Sequence, residues 1–294
     1  MNDQIYNPIN RPSLVFFKNW LNDDITTNTK YWHILYTEDE KIKKNAIKEL
    51  RTYFNSIHEP VKKYLRNIIS DDLHPFKINS KDDPAYGYPH MLENITLQGY
   101  FGEILTGIFI ENNELFSITG WEVPMHIFQT HTVAIQHLEE IKQTKTTVRK
   151  LPGHTGEDCI GFKRNEEGKI IKIIFGESKC TQAHNATLIK ENHEKLNNEY
   201  IKPVNLKFII EGLKPYEGIP EINDWLNSLK DLYLSRSKIE RCNLSCYLCG
   251  QKPIRNATWI DKNRPHSVYK SKRQLTSLEV HLNDVENIVK SVYK

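Results

Sequence analysis

Apolar positions along the chain change their period several times, and each change marks an element. Between Glu38 and Ser70, Ile47, Leu50, Tyr53 and Phe54 recur at intervals of three and four, the spacing of one helical face. Pro60 interrupts this stretch. Proline lacks an amide proton and crowds the preceding turn, so two helices are expected, the second built on Val61, Tyr64, Leu65, Ile68 and Ile69. The following segment, HPFKINSKDDPAYGYPH, concentrates turn-forming residues and reads as a long loop or linker. Beyond it, Asn94 to Asn112 (NITLQGYFGEILTGIFIEN) is apolar at helical spacing and nearly so all round. Such a helix is expected at the centre of a core.

Shorter periods follow. Trp121 to Phe128 alternates weakly and predicts a strand. Asp158 to Phe162 predicts another, then RNEEG a turn, then KIIKIIF an isoleucine-rich strand. Asn185 to Tyr200 has the pattern of a polar helix that Pro203 ends, and Val204 to Ile210 reads as a strand. Glu221 to Tyr233 places Ile222, Trp225, Leu226 and Leu229 on one helical face. From Arg241 the tail reads as short strands before a last helix through Val285, Ile288 and Val289. The order from residue 94 predicts an α/β fold in which a helix leads into a small mixed sheet flanked by helices. The expected organisation is a helical N-terminal region over 1–85, the α/β core over 86–240 and a C-terminal extension over 241–294. There is no internal repeat and no low-complexity tract.

Composition narrows the function classes. With 294 residues, 38% hydrophobic and 26% charged, the chain is expected to be globular, as one large domain or two. No apolar run is long enough to span a bilayer. The opening residues MNDQIYNPINRPSL lack the basic and apolar regions of a secretory signal, so a cytoplasmic location without membrane contact is the expectation. Net charge is only +3, from 40 basic and 37 acidic residues, too balanced for binding nucleic acid by bulk electrostatics. Local patches remain. Thr144 to Lys150 (TKTTVRK) is one. The tail segment RNATWIDKNRPHSVYKSKRQ is another, with Arg255, Lys262, Arg264, Lys270, Lys272 and Arg273 interleaved with Trp259 and Tyr269. Basic residues contact phosphates and aromatics stack on bases, although a charged surface loop has the same composition.

Five cysteines, an odd number, argue against a disulfide framework. Cys242, Cys246 and Cys249 form C-x₃-C-x₂-C, which admits three readings. It is the spacing by which radical SAM enzymes hold an iron–sulfur cluster, but too little chain follows for their barrel. A structural Zn²⁺ site would need a fourth ligand, His266 or His281. The third reading is three buried cysteines in a strand.

The segment richest in chemistry is HTGEDCIGFKRNEEGKIIKIIFGESKC. Strand alternation sends Glu177 and Lys179 to one face and Ser178 to the other. A hairpin between the two predicted strands brings Asp158 alongside them. Two carboxylates suit Mg²⁺ (or Mn²⁺), a hard cation that keeps waters for a substrate phosphate. The lysine can orient or deprotonate the attacking water or offset charge on the phosphate; a lysine among carboxylates normally stays protonated, which favours charge stabilisation. Glu103 adds an acid to a helix with few charges, as a further ligand or a supporting base. E-x-K alone is uninformative, and a solvated ion pair ending a core strand is the bland alternative. Gly176 and the apolar run before it favour a cleft. His154 and His184 flank the segment and read as structural or surface residues.

These residues resemble the PD-(D/E)xK nuclease superfamily: an acid on a helix, an acid opening a strand, then E-x-K. The pair Gly102-Glu103, the approach Gly156-Glu157-Asp158 and the run Phe175-Gly176-Glu177-Ser178-Lys179 more narrowly resemble the effector nucleases of Hachiman-type anti-phage systems, over roughly Leu92 to Ile210. The resemblance implies a restriction-endonuclease-like core and a cytoplasmic, Mg²⁺-dependent DNase of bacterial defence. It also implies a helicase-like ATPase partner. The chain departs from the pattern in having no proline before Asp158, which leaves Glu157 open as the ligand in its place.

Overall fold

The computed structural model describes residues 6–69, 83, 85–127, 157–197, 205–235, 239–255 and 257–293. Its centre is a six-stranded mixed sheet flanked by helices. The N-terminal region supplies helix α1 (Val15–Trp20), strands β1 (Leu21–Thr27) and β2 (Tyr31–Glu38), and helix α2 (Lys43–Ile69). Helix α3 (Asn94–Asn112) then leads into the hairpin β3 (Cys159–Arg164) and β4 (Ile170–Thr181). Helices α4 (Ala186–Lys195), α5 (Leu206–Leu213) and α6 (Pro220–Leu234) precede β5 (Glu240–Cys249), β6 (Leu275–His281) and α7 (Val285–Tyr293).

The strand order is β1-β2-β6-β5-β4-β3. The four inner strands run parallel and the two outer ones antiparallel to their neighbours. Strands from all three sequence-defined regions therefore share one sheet, and the 1–85 region is not purely helical. The two N-terminal strands escape a period-based reading for opposite reasons. β1 (LNDDITT) is a polar edge strand, whereas β2 (YWHILYTE) lies inside the parallel part and is covered on both faces, which replaces alternation with an apolar run.

Three further expectations change. Helix α2 runs through Pro60 unbroken. The Ser56 carbonyl, four residues back, loses its amide donor to the proline and accepts the Tyr6 hydroxyl instead. The strand expected over Val204 to Ile210 is replaced, from Leu206 on, by helix: Leu206, Ile209 and Leu213 recur on one buried face of α5, packed with Phe162, Phe175 and Trp225. Among the described residues, the strand expected over Trp121 to Phe128 reduces to one antiparallel bridge between Glu122 and Phe162. The linker expected over 74–90 lies largely outside the described residues.

Two layers cover the sheet. Helices α2, α3 and α7 pack on one face, where Ile104, Leu105 and Ile108 of α3 join Ile174, Cys246, Leu248 and Val280. On the other, α5 and α6 cover Phe162, Ile173 and Phe175, and Ile189 of α4 meets Tyr247 and Cys249. Helix α3 approaches β4 closely because Gly102 has no side chain: a Cβ there would lie 2.6 Å from Ser178 Oγ and 3.1 Å from Cys180 Cβ.

A buried carboxylate pins the connection between β5 and β6. Glu279 accepts the amides of Trp259 at 2.7 Å and Ile260 at 2.9 Å, and pairs with His281 Nε2 at 2.6 Å. His33 Nε2 stands 3.3 Å away. Burial pushes this carboxyl up, but the hydrogen bonds from His281, His33 and the two amides outweigh it and hold it down at about 2. A depressed carboxyl stabilises the fold above its unfolded range and loses that contribution as pH falls through its folded value. The wild type should therefore lose on the order of 3 kcal/mol through this group between about pH 5 and pH 2. Glu279→Gln should be less stable at pH 7 and show a correspondingly shallower acid dependence in urea unfolding.

Candidate active site

The hairpin leaves part of β4 unpaired on one side. Cys159 pairs with Gly176, so Glu177 to Thr181 have β5 as a neighbour but no residue of β3. Unpaired strand amides need acceptors. Asp158, the residue before β3, supplies one: its Oδ2 accepts the Ser178 amide at 2.9 Å. The first acid of the motif is thus hydrogen-bonded to the backbone of the middle residue of E-x-K. This bond and the hairpin register fix Asp158 beside Glu177.

Alternation distributes the rest. Lys179 is in register with Tyr247, so Glu177 and Lys179 face α4, while Ser178 and Cys180 meet α3 at Gly102. Glu103 follows Gly102 and stands near enough to feel the charges of Asp158, Lys195 and Lys179. The site therefore collects groups from both layers at the open edge of β4. The structure sets Asp158 beside Glu177, puts Lys179 on the same strand face as Glu177, and leaves Glu103 within electrostatic reach of Asp158 and Lys179.

It also brings in one that sequence reasoning missed. Lys195, the last residue of α4, places its Nζ 3.1 Å from Asp158 Oδ1 and 2.6 Å from Glu177 Oε2. Asn185 caps α4 by accepting the Thr187 amide at 2.9 Å, and its own amide donates to Tyr247 Oη at the same distance. From that start, ten helical residues return about 15 Å antiparallel to β5, to the level of Glu177. Nothing in the local pattern marks Lys195; only the crossover geometry does.

The electrostatics suit a cation site. Glu177 is 2% exposed. Its carboxyl is raised, first by burial and then by the Asp158 charge, with Lys195 opposing. Glu103 is raised by the same two causes in the same order, with Lys195 and Lys179 opposing. The Lys195 ammonium is disfavoured by burial, but its two carboxylate partners overcome this and raise it. Glu177 Oε2 is buried and its ion-pair partner is Lys195 at 2.6 Å. Among the described residues no three His, Cys, Asp or Glu side chains form a ready metal cage. Two carboxylates completed by water and phosphate are the Mg²⁺ mode of binding, and Asp158 and Glu177 fit it. Glu157 does not join them: its carboxylate is buried against Asn205 Nδ2 at 3.3 Å.

The cysteine motif does not form a centre. Cys242 and Cys246 lie on the α3 face of β5 and Cys249 on the α4 face, so the three thiols do not converge on one ion. Burial pushes Cys242 and Cys246 up to about 12. His281 is engaged by Glu279, and His266 stands beside His193. Strand parity thus gives the zinc or iron–sulfur reading no support and leaves the reading of buried strand cysteines, because a strand cannot turn both parities to one face.

The basic tail is partly consumed within the fold. Lys262 pairs with Asp24 at 2.6 Å and Arg264 with Asp261 at 2.9 Å. Trp259 stacks on His184 with centroids 3.6 Å apart, and the Tyr269 hydroxyl bonds within the protein. Arg255, Lys270 and Lys272 are exposed. The stretch 144–150 and His154 lie outside the described residues.

A carboxyl raised by folding stabilises below its unfolded range, and that contribution is lost as pH rises through its folded value. Glu177→Gln should therefore raise the stability of the metal-free protein more at pH 8 than at pH 5. Thermal unfolding at the two pH values checks this, and an equal or opposite change would show that Glu177 is not strained by its neighbours. Comparison of the sequence with models of protein families and with curated proteins found no match, so the functional reading rests on the chemistry of this site.

Proposed function

We propose that this protein is a metal-dependent nuclease of the PD-(D/E)xK type that hydrolyses DNA phosphodiester bonds. The observation that carries the reading is the Asp158–Ser178 hydrogen bond, which sets an acid against E-x-K at an open strand edge. The element order supports it. A central helix with an acid, an antiparallel hairpin, a crossover helix and a parallel strand are consistent with a restriction-endonuclease-like core.

In this reading Asp158 and Glu177 hold Mg²⁺ (or Mn²⁺). When bound, the ion supplies Lewis acidity toward the phosphoryl oxygen and lowers the pKa of a coordinated water. Lys179, on the same face as Glu177, holds its ammonium toward charge developing on the phosphate. Glu103, held toward its protonated form by burial and by Asp158, supports the ligands as a proton donor. The near-neutral net charge and the internal pairing of Lys262 and Arg264 argue for modest intrinsic affinity for DNA. A partner that delivers the substrate follows, and the resemblance to Hachiman-type effectors makes it a helicase-like ATPase in bacterial anti-phage defence.

A second reading has one observation in its favour. Because Lys195 already pairs with both carboxylates, the same architecture could serve as a non-enzymatic interaction platform.

Plasmid nicking with Mg²⁺, with and without a co-expressed ATPase partner, decides between them. Wild type should cleave, Glu177→Ala should abolish cleavage, and Lys179→Ala should reduce it by about 10²-fold or more, all in folded protein. Absence of cleavage under every condition, together with absence of metal binding, would favour the interaction platform. Cleavage that survives both substitutions would place the chemistry elsewhere.

A further inference from the structure

Lys195 stands between the two carboxylates assigned above to the metal. Its Nζ is 2.6 Å from Glu177 Oε2 and 3.1 Å from Asp158 Oδ1. We propose that Lys195 is an internal cation that occupies the metal position in the resting protein, and that its side chain must leave before a divalent ion can bind. The proposal rests on the reading of Asp158 and Glu177 as metal ligands.

Steric and charge arguments both lead to it. A Mg²⁺ ion sits about 2.1 Å from each carboxylate oxygen it binds. Asp158 Oδ1 and Glu177 Oε2, the oxygens that would hold the ion, are the two that Nζ contacts now, so the ion and the ammonium compete for the same oxygens. The charges exclude each other as well, since a divalent ion beside an ammonium in a half-buried site meets strong repulsion. In the resting arrangement the ammonium performs the metal's electrostatic task. It offsets the repulsion between Asp158 and Glu177, which burial would otherwise make severe.

The side chain can leave without disturbing the fold. Helix α4 is held through other residues: Ile189 in the core, Asn192 Nδ2 on the Cys246 carbonyl at 2.9 Å, and His193 Nε2 against Ser277 Oγ at 3.1 Å. Lys195 ends the helix, and its side chain is 32% exposed. A rotation about its own bonds takes the ammonium to solvent, and the backbone stays in place. Once released, the ammonium remains within a side-chain length of the site, where an incoming phosphate can take the place of the carboxylates. Metal loading and release of Lys195 are then one exchange, and the resting site has a reduced affinity for free divalent ions.

Titration of the full-length protein with Mn²⁺ by calorimetry, without nucleic acid, tests the exchange. Lys195→Met and Lys195→Gln should bind Mn²⁺ about tenfold or more tightly than wild type, because neither variant supplies a competing charge. Lys195→Arg, which keeps the charge, should bind no more tightly than wild type. The Met and Gln variants should also melt at lower temperature without metal and recover with Mn²⁺, since their paired carboxylates lack a cation until the ion arrives. Equal or weaker Mn²⁺ binding by both variants, alongside loss of binding in Asp158→Asn, would overturn the proposal and leave the metal ligands standing. No Mn²⁺ binding by any of the proteins would overturn the metal reading itself, and the proposal with it.

Discussion

One hydrogen bond organises the edge of this sheet. β3 stops pairing at Cys159, and β4 continues beyond it with amides that have lost their partner strand. The carboxylate of Asp158 takes over as acceptor for Ser178. That contact satisfies the backbone and draws a negative charge to within reach of Glu177. The repulsion that follows in a buried setting obliges the protein to bring in positive charge, and Lys195 answers from the adjoining helix. Edge termination, acid pairing and the recruited lysine form a single chain of cause.

Much of this was legible in the sequence, for reasons that can be named. The isoleucine run of β4 has a period that assigns Glu177 and Lys179 to one face without reference to anything distant. The apolar circumference of α3 identifies it as a central helix. Asp158 could be placed by the hairpin, although its choice over Glu157 needed the register, because both are acids and adjacent. Lys195 was not legible. It lies in the last turn of a polar helix, and its role arises from a crossover connection whose return point is a tertiary property. The strands β1 and β2 were invisible for a related reason. A polar edge and a doubly covered inner strand each suppress the alternation by which strands are recognised. At Leu206, Ile209 and Leu213, a helical period lay within an isoleucine-rich segment that also resembled a strand, and packing against Trp225 decided it.

The cysteines show where spacing misleads. Three thiols within eight residues suggest a cluster, yet on an extended strand the positions 242 and 246 share a face and 249 does not. The motif would have had to sit on a loop to close around an ion. On a central strand the same residues are small apolar packing groups, and their buried, elevated thiols are chemically quiet.

The sheet order carries a consequence for how the protein is made. β2 hydrogen-bonds along its length to β6, with Tyr31 opposite Leu275, and β5, the only strand neighbour of the Glu177 segment among the described residues, is also drawn from the later part of the chain. Pairings between such distant segments are slow to form, and during synthesis they must wait until the ribosome has released the later strands. A nascent chain that already contains Asp158, Glu177, Lys179 and Lys195 still lacks the strand that holds them in register. Birth of the protein and assembly of its charged edge are therefore separated in time, and an unfinished polypeptide has that edge still to form.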